Sequence, residues 1–452
     1  MSVAGDPLEA VPAAVLADVL GSVADAGDIA ASRLASRALL AGSYLCPRVR
    51  ICAADRARRR REGGGGILPF RAGIGNVAAF LGSRLRSLAL DAADGQGSPD
   101  DAMWVEEGEF DEADDLHLTS REAVMAWAAT DAGTVLQEVE IADYWPQACW
   151  RKAEALPLIS HFCELTLDCG PNLVKMGLKN AWLSVDGLKK MQNLTHLTLE
   201  FIRLDDEDLD KLNECFPCLH TLNLIGVGGL KGPKIHLPQL KTCRWEVSNV
   251  PESLAIQAPN LVFLDLKCVR PDRLILDTPS LSILKLTIAK LGATVDVDGL
   301  VSLTNLHLES LDLNSLLPVF VETRAISTLE LELPRAASQY ELLQEVNCPD
   351  YLLRMLASVS EVKLGPRFSC GLIRCLALCT ESQFQSCLKK LLIHIPPSAS
   401  TYEILPLFKI CAPRCEVTVL FHTASADAIH EVAITTWTLS FPEIRWQCGT
   451  WT

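Results

Sequence analysis

Apolar and polar positions alternate on a fixed beat through the middle of the chain. A short motif, one apolar residue followed by others three and five positions on, opens at Leu173, Leu194, Leu219, Leu240, Leu261, Leu281, Leu303 and Ile326. Its positions hold Leu, Ile or Met except after Leu240, where Cys243 and Trp245 stand. The intervals are 21, 25, 21, 21, 20, 22 and 23 residues. The end of each motif alternates with period two, the signature of a strand with one buried face. Proline stands two residues before the opening position at Pro171, Pro217, Pro238, Pro259 and Pro279. There it suits a turn leading into a strand, where no ladder donor is needed. Each beat thus predicts one strand. The repetition predicts a stack in which no unit buries its apolar face alone.

The stretch from Leu194 to Leu219 also shows what lies between strands. Leu194-Thr-His-Leu197-Thr-Leu199 reads as a strand. Asp205 and Asp206 follow where a helix would start, a place that favours acids. Leu209 and Leu212 form a helical stripe, and Pro217 ends it. Weaker motifs flank the core: Leu85 to Leu90 and Leu136 to Ile141 before it, Val359 to Leu364 and Leu388 to Ile393 after it. Val417 to Phe421 reads as a further strand, and Phe441 to Trp446 as the last strand or a cap. Period and motif resemble leucine-rich repeats, and the stretch 194–219 resembles the cysteine-containing repeat of intracellular proteins. The expected fold class is α/β, a leucine-rich-repeat solenoid. It has a curved parallel sheet with helices or irregular segments on the convex side, preceded by a small all-α unit.

That unit is read from the first forty residues. Val11-Pro12 through Val15-Leu16, Val19-Leu20 and Val23 predict an amphipathic helix with Pro at its start. Asp28 to Leu39 predicts a second helix, with Asp25 or Asp28 as N-cap. So short a hairpin cannot bury its own apolar surface. Its residues resemble an F-box. Val11-Pro12, the aliphatic pairs Val15-Leu16 and Val19-Leu20, Asp28-Ile29 and Ala35-Ser36-Arg37 fill the family's positions, while Leu39 stands where Trp is usual. Together the halves resemble the plant F-box/leucine-rich-repeat proteins. The likeness includes Tyr144-Trp145 to Cys149-Trp150, Asn180 to Val185, Leu199 to Asp206 and Leu222 to Leu230. The resemblance implies an F-box-like domain over 6–46, a linker and repeat cap over 47–135, and the repeat domain over 136–452. It implies a non-catalytic substrate receptor of a Skp–cullin–F-box ubiquitin ligase, without cofactor. Its adaptor face would hold Val11, Pro12, Val15, Leu16, Val19, Leu20, Ile29, Leu34 and Arg37. The alternative is a repeat scaffold whose hairpin only caps the solenoid.

Composition narrows the partners. Acids outnumber Lys and Arg 56 to 41, a net charge of −15, which disfavours nucleic acid and anionic membranes. No apolar run is long enough to span a bilayer, and the N-terminus carries no basic signal region, so a soluble cytoplasmic or nuclear protein is expected. Five arginines within 56–61 read as a flexible basic connector or a nuclear localisation signal, and eleven acids within 91–115 as a solvated loop. The 17 cysteines of so long a chain read as reduced thiols in core packing. Cys215 and Cys218 form a CxxC with no second half, which argues against a metal. No nucleophile-elbow, zincin or phosphate-loop motif is present. Gly226-Val-Gly228-Gly229 reads as a loop between repeats, and Gly73-Ile-Gly75 as an incomplete nucleotide motif.

Strand alternation locates the expected target surface. With the leucines inward, the third and fifth motif positions face the concave side. The fifth column, Thr198, Asn223, Arg244, Asp265, Lys285, His307 and Glu330, alternates in charge and predicts cross-strand pairs. The third column, from His196 to Thr328, brings Phe263 and Ile283 onto neighbouring strands. An exposed apolar pair beside charges predicts a target site of Arg244, Phe263, Asp265, Lys267, Ile283, Lys285 and His307.

Overall fold

The computed structural model describes residues 7–53, 69–93, 117–119, 121–144, 172–180, 188, 190–247, 250–334, 355–356, 358–366, 387–395, 404–423 and 427–451. The basic run at 56–61 and the part of the acidic stretch from 94 to 115 lie outside them. The chain divides into two compact units, residues 1–230 and 231–452.

The first unit opens with three helices, α1 (Ala13–Val23), α2 (Ala26–Ala35) and α3 (Arg37–Ser43). A parallel sheet follows, in the order β1 (Arg48–Cys52), β2 (Ser87–Asp91), β3 (Glu138–Ala142), β4 (Lys175–Lys179), β5 (His196–Glu200) and β6 (Thr221–Val227). Helices α4 (Phe70–Leu81), α5 (Arg121–Ala128), α6 (Asp131–Val135) and α7 (Asp206–Cys215) lie between strands. The flanking motifs at Leu85 and Leu136 form strands as expected. Strand β1 was not anticipated, because Arg48-Val-Arg-Ile-Cys carries a single fully buried residue, Val49. Helix α7 starts as its acids predict. Asp205 accepts a hydrogen bond from the Asp208 amide at 2.8 Å, and Asp208 accepts one from the Asp205 amide, a reciprocal capping box.

In the second unit, nine parallel strands among the described residues carry the motif: β8 (Thr242–Val247), β10 (Phe263–Cys268), β12 (Ile283–Ile288), β14 (Asn305–Ser310), β15 (Thr328–Glu332), β16 (Glu361–Leu364), β17 (Lys390–Ile395), β18 (Glu416–His422) and β19 (Arg445–Trp451). Each pairs without slippage, so equivalent leucines stack. Leu264 lies opposite Leu284, which lies opposite Leu306, which lies opposite Leu329. All four are buried. Helix α8 (Leu313–Phe320) follows β14, and α9 (Asp427–Ser440) lies between the last two strands.

The prolines sit where a turn uses their fixed φ. Leu240, Leu261 and Leu281 donate their amides to the carbonyls of Leu237, Ala258 and Thr278, at 3.2, 3.1 and 3.0 Å. Pro238, Pro259 and Pro279 are therefore the second residues of four-residue turns. A second column went unread in the sequence. Ser282, Thr304, Ser327 and Ser360, next to the opening position, each donate a hydroxyl to the carbonyl of the equivalent residue one repeat earlier, at 3.1–3.2 Å.

Four repeats depart from the expected helices or irregular segments. Strands β7 (Lys234–His236), β9 (Ser253–Gln257), β11 (Arg273–Asp277) and β13 (Thr294–Asp298) form a second parallel sheet, ordered β13-β11-β9-β7. The reason is length and pattern. The repeat opening at Leu194 has 25 residues, enough for a strand and the ten-residue α7, while those opening at Leu240 and Leu261 have 21 and 20. Their connecting residues also alternate in burial, as in Leu254-Ala-Ile256 and Leu274-Ile-Leu276, whose aliphatic ends are buried and whose middle residues are not. The terminal segment proves to be both strand and cap. Phe408, Trp437 and Trp446 pack edge-on or stacked with centroids 4.8–6.0 Å apart, closing the core between α9 and β19.

Ten cysteines among the described residues carry free thiols, and those residues hold no group of three potential metal ligands. Burial pushes the thiols of Cys243 and Cys268 up to about 12, with the Asp265 carboxylate adding to the effect at Cys243. A thiol held that high stays protonated, and only the thiolate is nucleophilic. In native protein at pH 8, iodoacetamide should leave Cys243 and Cys268 unlabelled while modifying exposed Cys387 and Cys448. Denaturation should render all four equally reactive. Peptide mass mapping checks this, and fast native labelling of Cys243 would contradict its place in the core.

Candidate docking surfaces

Helix α1 divides its residues between two environments. Leu16 and Leu20 are buried together with Ile29 of α2. A Cβ at Gly42 of α3 would lie 2.8 Å from Leu16 Cβ, so glycine permits α1 and α3 to touch. Neighbouring helical positions differ by about 100° in direction, so Val15 and Val19 point elsewhere. They are 49% and 54% exposed, Val23 is 51% exposed, and Leu34 of α2 is 92% exposed. Pro12 and Arg37 are exposed, and Val11 is half-buried. The expected adaptor face thus splits. Leu16, Leu20 and Ile29 are the interior of the hairpin, not its surface, because a pair of short helices needs them to close its own core.

The second predicted helix is also corrected. It breaks at Ser36, which is extended at φ −150° and ψ 138° and whose hydroxyl accepts from the Ala38 and Leu39 amides at 3.1 and 3.3 Å. A serine there caps a new helix instead of continuing the old one. Of the two N-cap candidates for α2, the cap is Asp25, which accepts from the Asp28 amide at 2.9 Å.

The hairpin is anchored to the first repeats. The Arg50 amide donates to Ala24 O at 2.6 Å, and Asp25 bridges to Arg50, so the α1–α2 link covers the free edge of β1. The Arg33 guanidinium lies 5.4 Å from the Tyr44 ring centroid and 5.0 Å from that of Phe80, which ties α2 to α4.

All seven residues of the expected target site fall together on the outward face of β8, β10, β12 and β14. Phe263 lies directly opposite Ile283, and both are half-buried. Arg244 Nε approaches Asp265 Oδ2 at 3.4 Å, and His307 Nδ1 approaches Glu330 Oε1 at 3.2 Å, as the alternating column predicts. Lys363 reaches the other Glu330 oxygen at 3.7 Å. The hydrogen bond from His307 holds the Glu330 carboxyl below the usual range, against the opposing effect of burial. Lys285 departs from the column. Its in-register neighbour is Asp265, yet its ammonium lies 5.9 Å from the Phe263 ring centroid. Lys267 is in register with Glu246 and Thr287.

The motifs set aside for chemistry take structural places. Cys215 ends α7, and its thiol donates to Leu188 O at 3.4 Å. Gly73 and Gly75 lie inside α4, so their amides are not free to cradle a phosphate. Gly226 has φ +62° and lies under the Phe201 ring, where a Cβ would meet Phe201 Cδ1 at 2.6 Å. Reasoning from sequence missed the charge ladder of the last strands. Lys390 pairs with Glu361 at 3.2 Å and Arg445 with Glu416 at 3.9 Å, continuing the third-position column beyond Thr328. Longer spacings between those motifs hid their common register.

The division of α1 has a measurable consequence. Leu16→Ala should lower the stability of the hairpin by about 2–5 kcal/mol, as core truncations do. Val15→Asp, at an exposed site, should stay within about 0.5 kcal/mol. Thermal unfolding of both variants, followed by circular dichroism, separates the two environments. Equal losses would place Val15 in the core.

No family model matches the chain. An F-box/LRR-repeat protein of Arabidopsis thaliana is 32% identical to it over 462 aligned residues, covering 98% of this chain and 98% of that protein. On this likeness, and with helices and repeats in the expected order, the chain belongs to the plant F-box/leucine-rich-repeat proteins.

Proposed function

We propose that the protein is the substrate-recognition subunit of a Skp–cullin–F-box ubiquitin ligase. The N-terminal hairpin binds a Skp-family adaptor and through it a cullin. The open face of the repeat sheet binds a protein target for ubiquitination. The receptor performs no chemistry and needs no cofactor.

The observation that carries this reading is the line of Val15, Val19 and Val23, with Leu34 nearby in sequence on α2, left in water while Leu16, Leu20 and Ile29 close the core. Burying a Val or Leu side chain gains about 1.5–3 kcal/mol, so an aliphatic stripe on a helix whose other side is already packed suits a partner. Leu39, where Trp is usual, is half-buried, so the missing indole removes contact area without opening the hairpin.

A second reading rests on the bond from Arg50 to Ala24 and the bridge at Asp25, which make the hairpin a cap for β1. On that reading the protein is a repeat scaffold and the valines have no partner. Val15→Asp combined with Val19→Asp distinguishes the two. The ubiquitin-ligase reading expects the folded double variant to lose co-purification with a recombinant Skp-family adaptor at least a hundredfold, while its melting temperature stays within a few degrees. Failure of the unaltered chain to bind any adaptor, or undiminished binding by the variant, would leave the scaffold reading.

A further inference from the structure

The open face of the second unit has a charge arrangement that names the chemistry of its target. On β8, β10 and β12 the outward residues are Thr242, Arg244, Glu246, Phe263, Asp265, Lys267, Ile283, Lys285 and Thr287, with three cations and two anions. Asp265 is 9% exposed and is taken by Arg244 at 3.4 Å. Glu330, next along the column from His307, is in direct contact with His307 and Lys363 and is influenced by Lys285 at longer range. Glu309 accepts from Thr287 at 3.1 Å. Among the described residues, no carboxylate stands within ion-pair distance of Lys267 or Lys285, and Lys285 instead overhangs the Phe263 ring.

An apolar pair, Phe263 against Ile283, is thus flanked by two cations that make no direct ion pair among the described residues: Lys267 faces Glu246 in register, and Lys285 acts on the Glu330 carboxylate only from beyond contact distance. Strands spaced about 4.8 Å apart bring the three side chains Phe263, Ile283 and Lys285 within reach of one extended peptide crossing the sheet. We infer that the target segment is an acidic peptide that sets an aliphatic or aromatic side chain on Phe263 and Ile283 and an Asp or Glu carboxylate on Lys285 and Lys267. This deepens the receptor reading and rests on it for the ubiquitin-ligase role alone. A carboxylate fits better than a phosphate. Phosphate recognition favours the two-pronged guanidinium, and the one arginine of this patch, Arg244, is engaged by Asp265. Lysines act as point charges, which a single carboxylate satisfies.

The test uses this chain, with and without a Skp-family adaptor, and a phage-displayed library of random dodecapeptides as probe. Enriched peptides should carry Asp or Glu within two positions of Leu, Ile, Phe or Trp. A synthetic peptide of the enriched sequence should bind Lys285→Glu at least tenfold more weakly than the unaltered chain. The same peptide with Lys in place of its acid should recover on Lys285→Glu. Phe263→Ser should weaken both peptides, and Lys285→Glu keeps the test sound should Phe263→Ser fold poorly. The inference is overturned by an absence of enrichment, by enrichment of basic or uncharged peptides, by a preference for phosphoserine over the acid, or by an affinity that ignores Lys285→Glu. Adaptor binding is scored separately. Peptide capture without adaptor would retain the acidic-peptide surface and remove the ubiquitin-ligase role, whereas adaptor without peptide would do the reverse.

Discussion

Unslipped parallel pairing is the constraint on which the rest of the molecule depends. When each strand lies beside its equivalent with no shift in register, every inward leucine stacks on its counterpart, and every outward side chain joins a column. A slip of one residue would exchange the two faces and put the leucines in water. The loss would recur at every strand of the stack, which is why the register holds through repeats of unequal length. The proline turns and the hydroxyls of Ser282, Thr304, Ser327 and Ser360 act on the same constraint. They fix where each strand begins.

Once the columns exist, their chemistry divides naturally. Several charges are settled within the sheet, because opposite charges on adjacent strands attract by about 0.2–1 kcal/mol relative to alanine pairs. Arg244 with Asp265, His307 and Lys363 with Glu330, Lys390 with Glu361, and Arg445 with Glu416 follow this rule. The patch around Phe263 and Ile283 stands apart because, among the described residues, its lysines face Glu246 and Glu330 without closing to a direct ion pair.

The hairpin obeys a similar economy with fewer residues. Leu16, Leu20 and Ile29 close it, Gly42 lets α3 approach, and Arg33 bridges Tyr44 and Phe80 to join it to α4. That leaves one side of α1 with no internal task. The α1–α2 link covers the β1 edge, and Val15 and Val19 remain exposed.

The repeats were legible because their spacing is local information. Alternation at Leu194, Leu261, Leu281 or Leu303 shows the inward face within six residues, and the fifth column named the pairs at Arg244 and His307 before any fold was known. The capping acids of α7 were legible for the same reason. Other features depend on neighbours distant in sequence. Whether Leu254-Ala-Ile256 becomes a strand or an irregular link depends on finding Leu274-Ile-Leu276 one repeat away to pair with. The choice between Val15 and Leu16 is invisible in an aliphatic pair, since both are apolar and only the packing of α3 and Ile29 decides which is buried. Lys285 looked like the partner of Asp265 by column, but Arg244 holds that carboxylate and the Phe263 ring offers Lys285 another face. Sequence fixes periodicity and side-chain type, while competition among neighbours for one partner is settled only when the chain has folded.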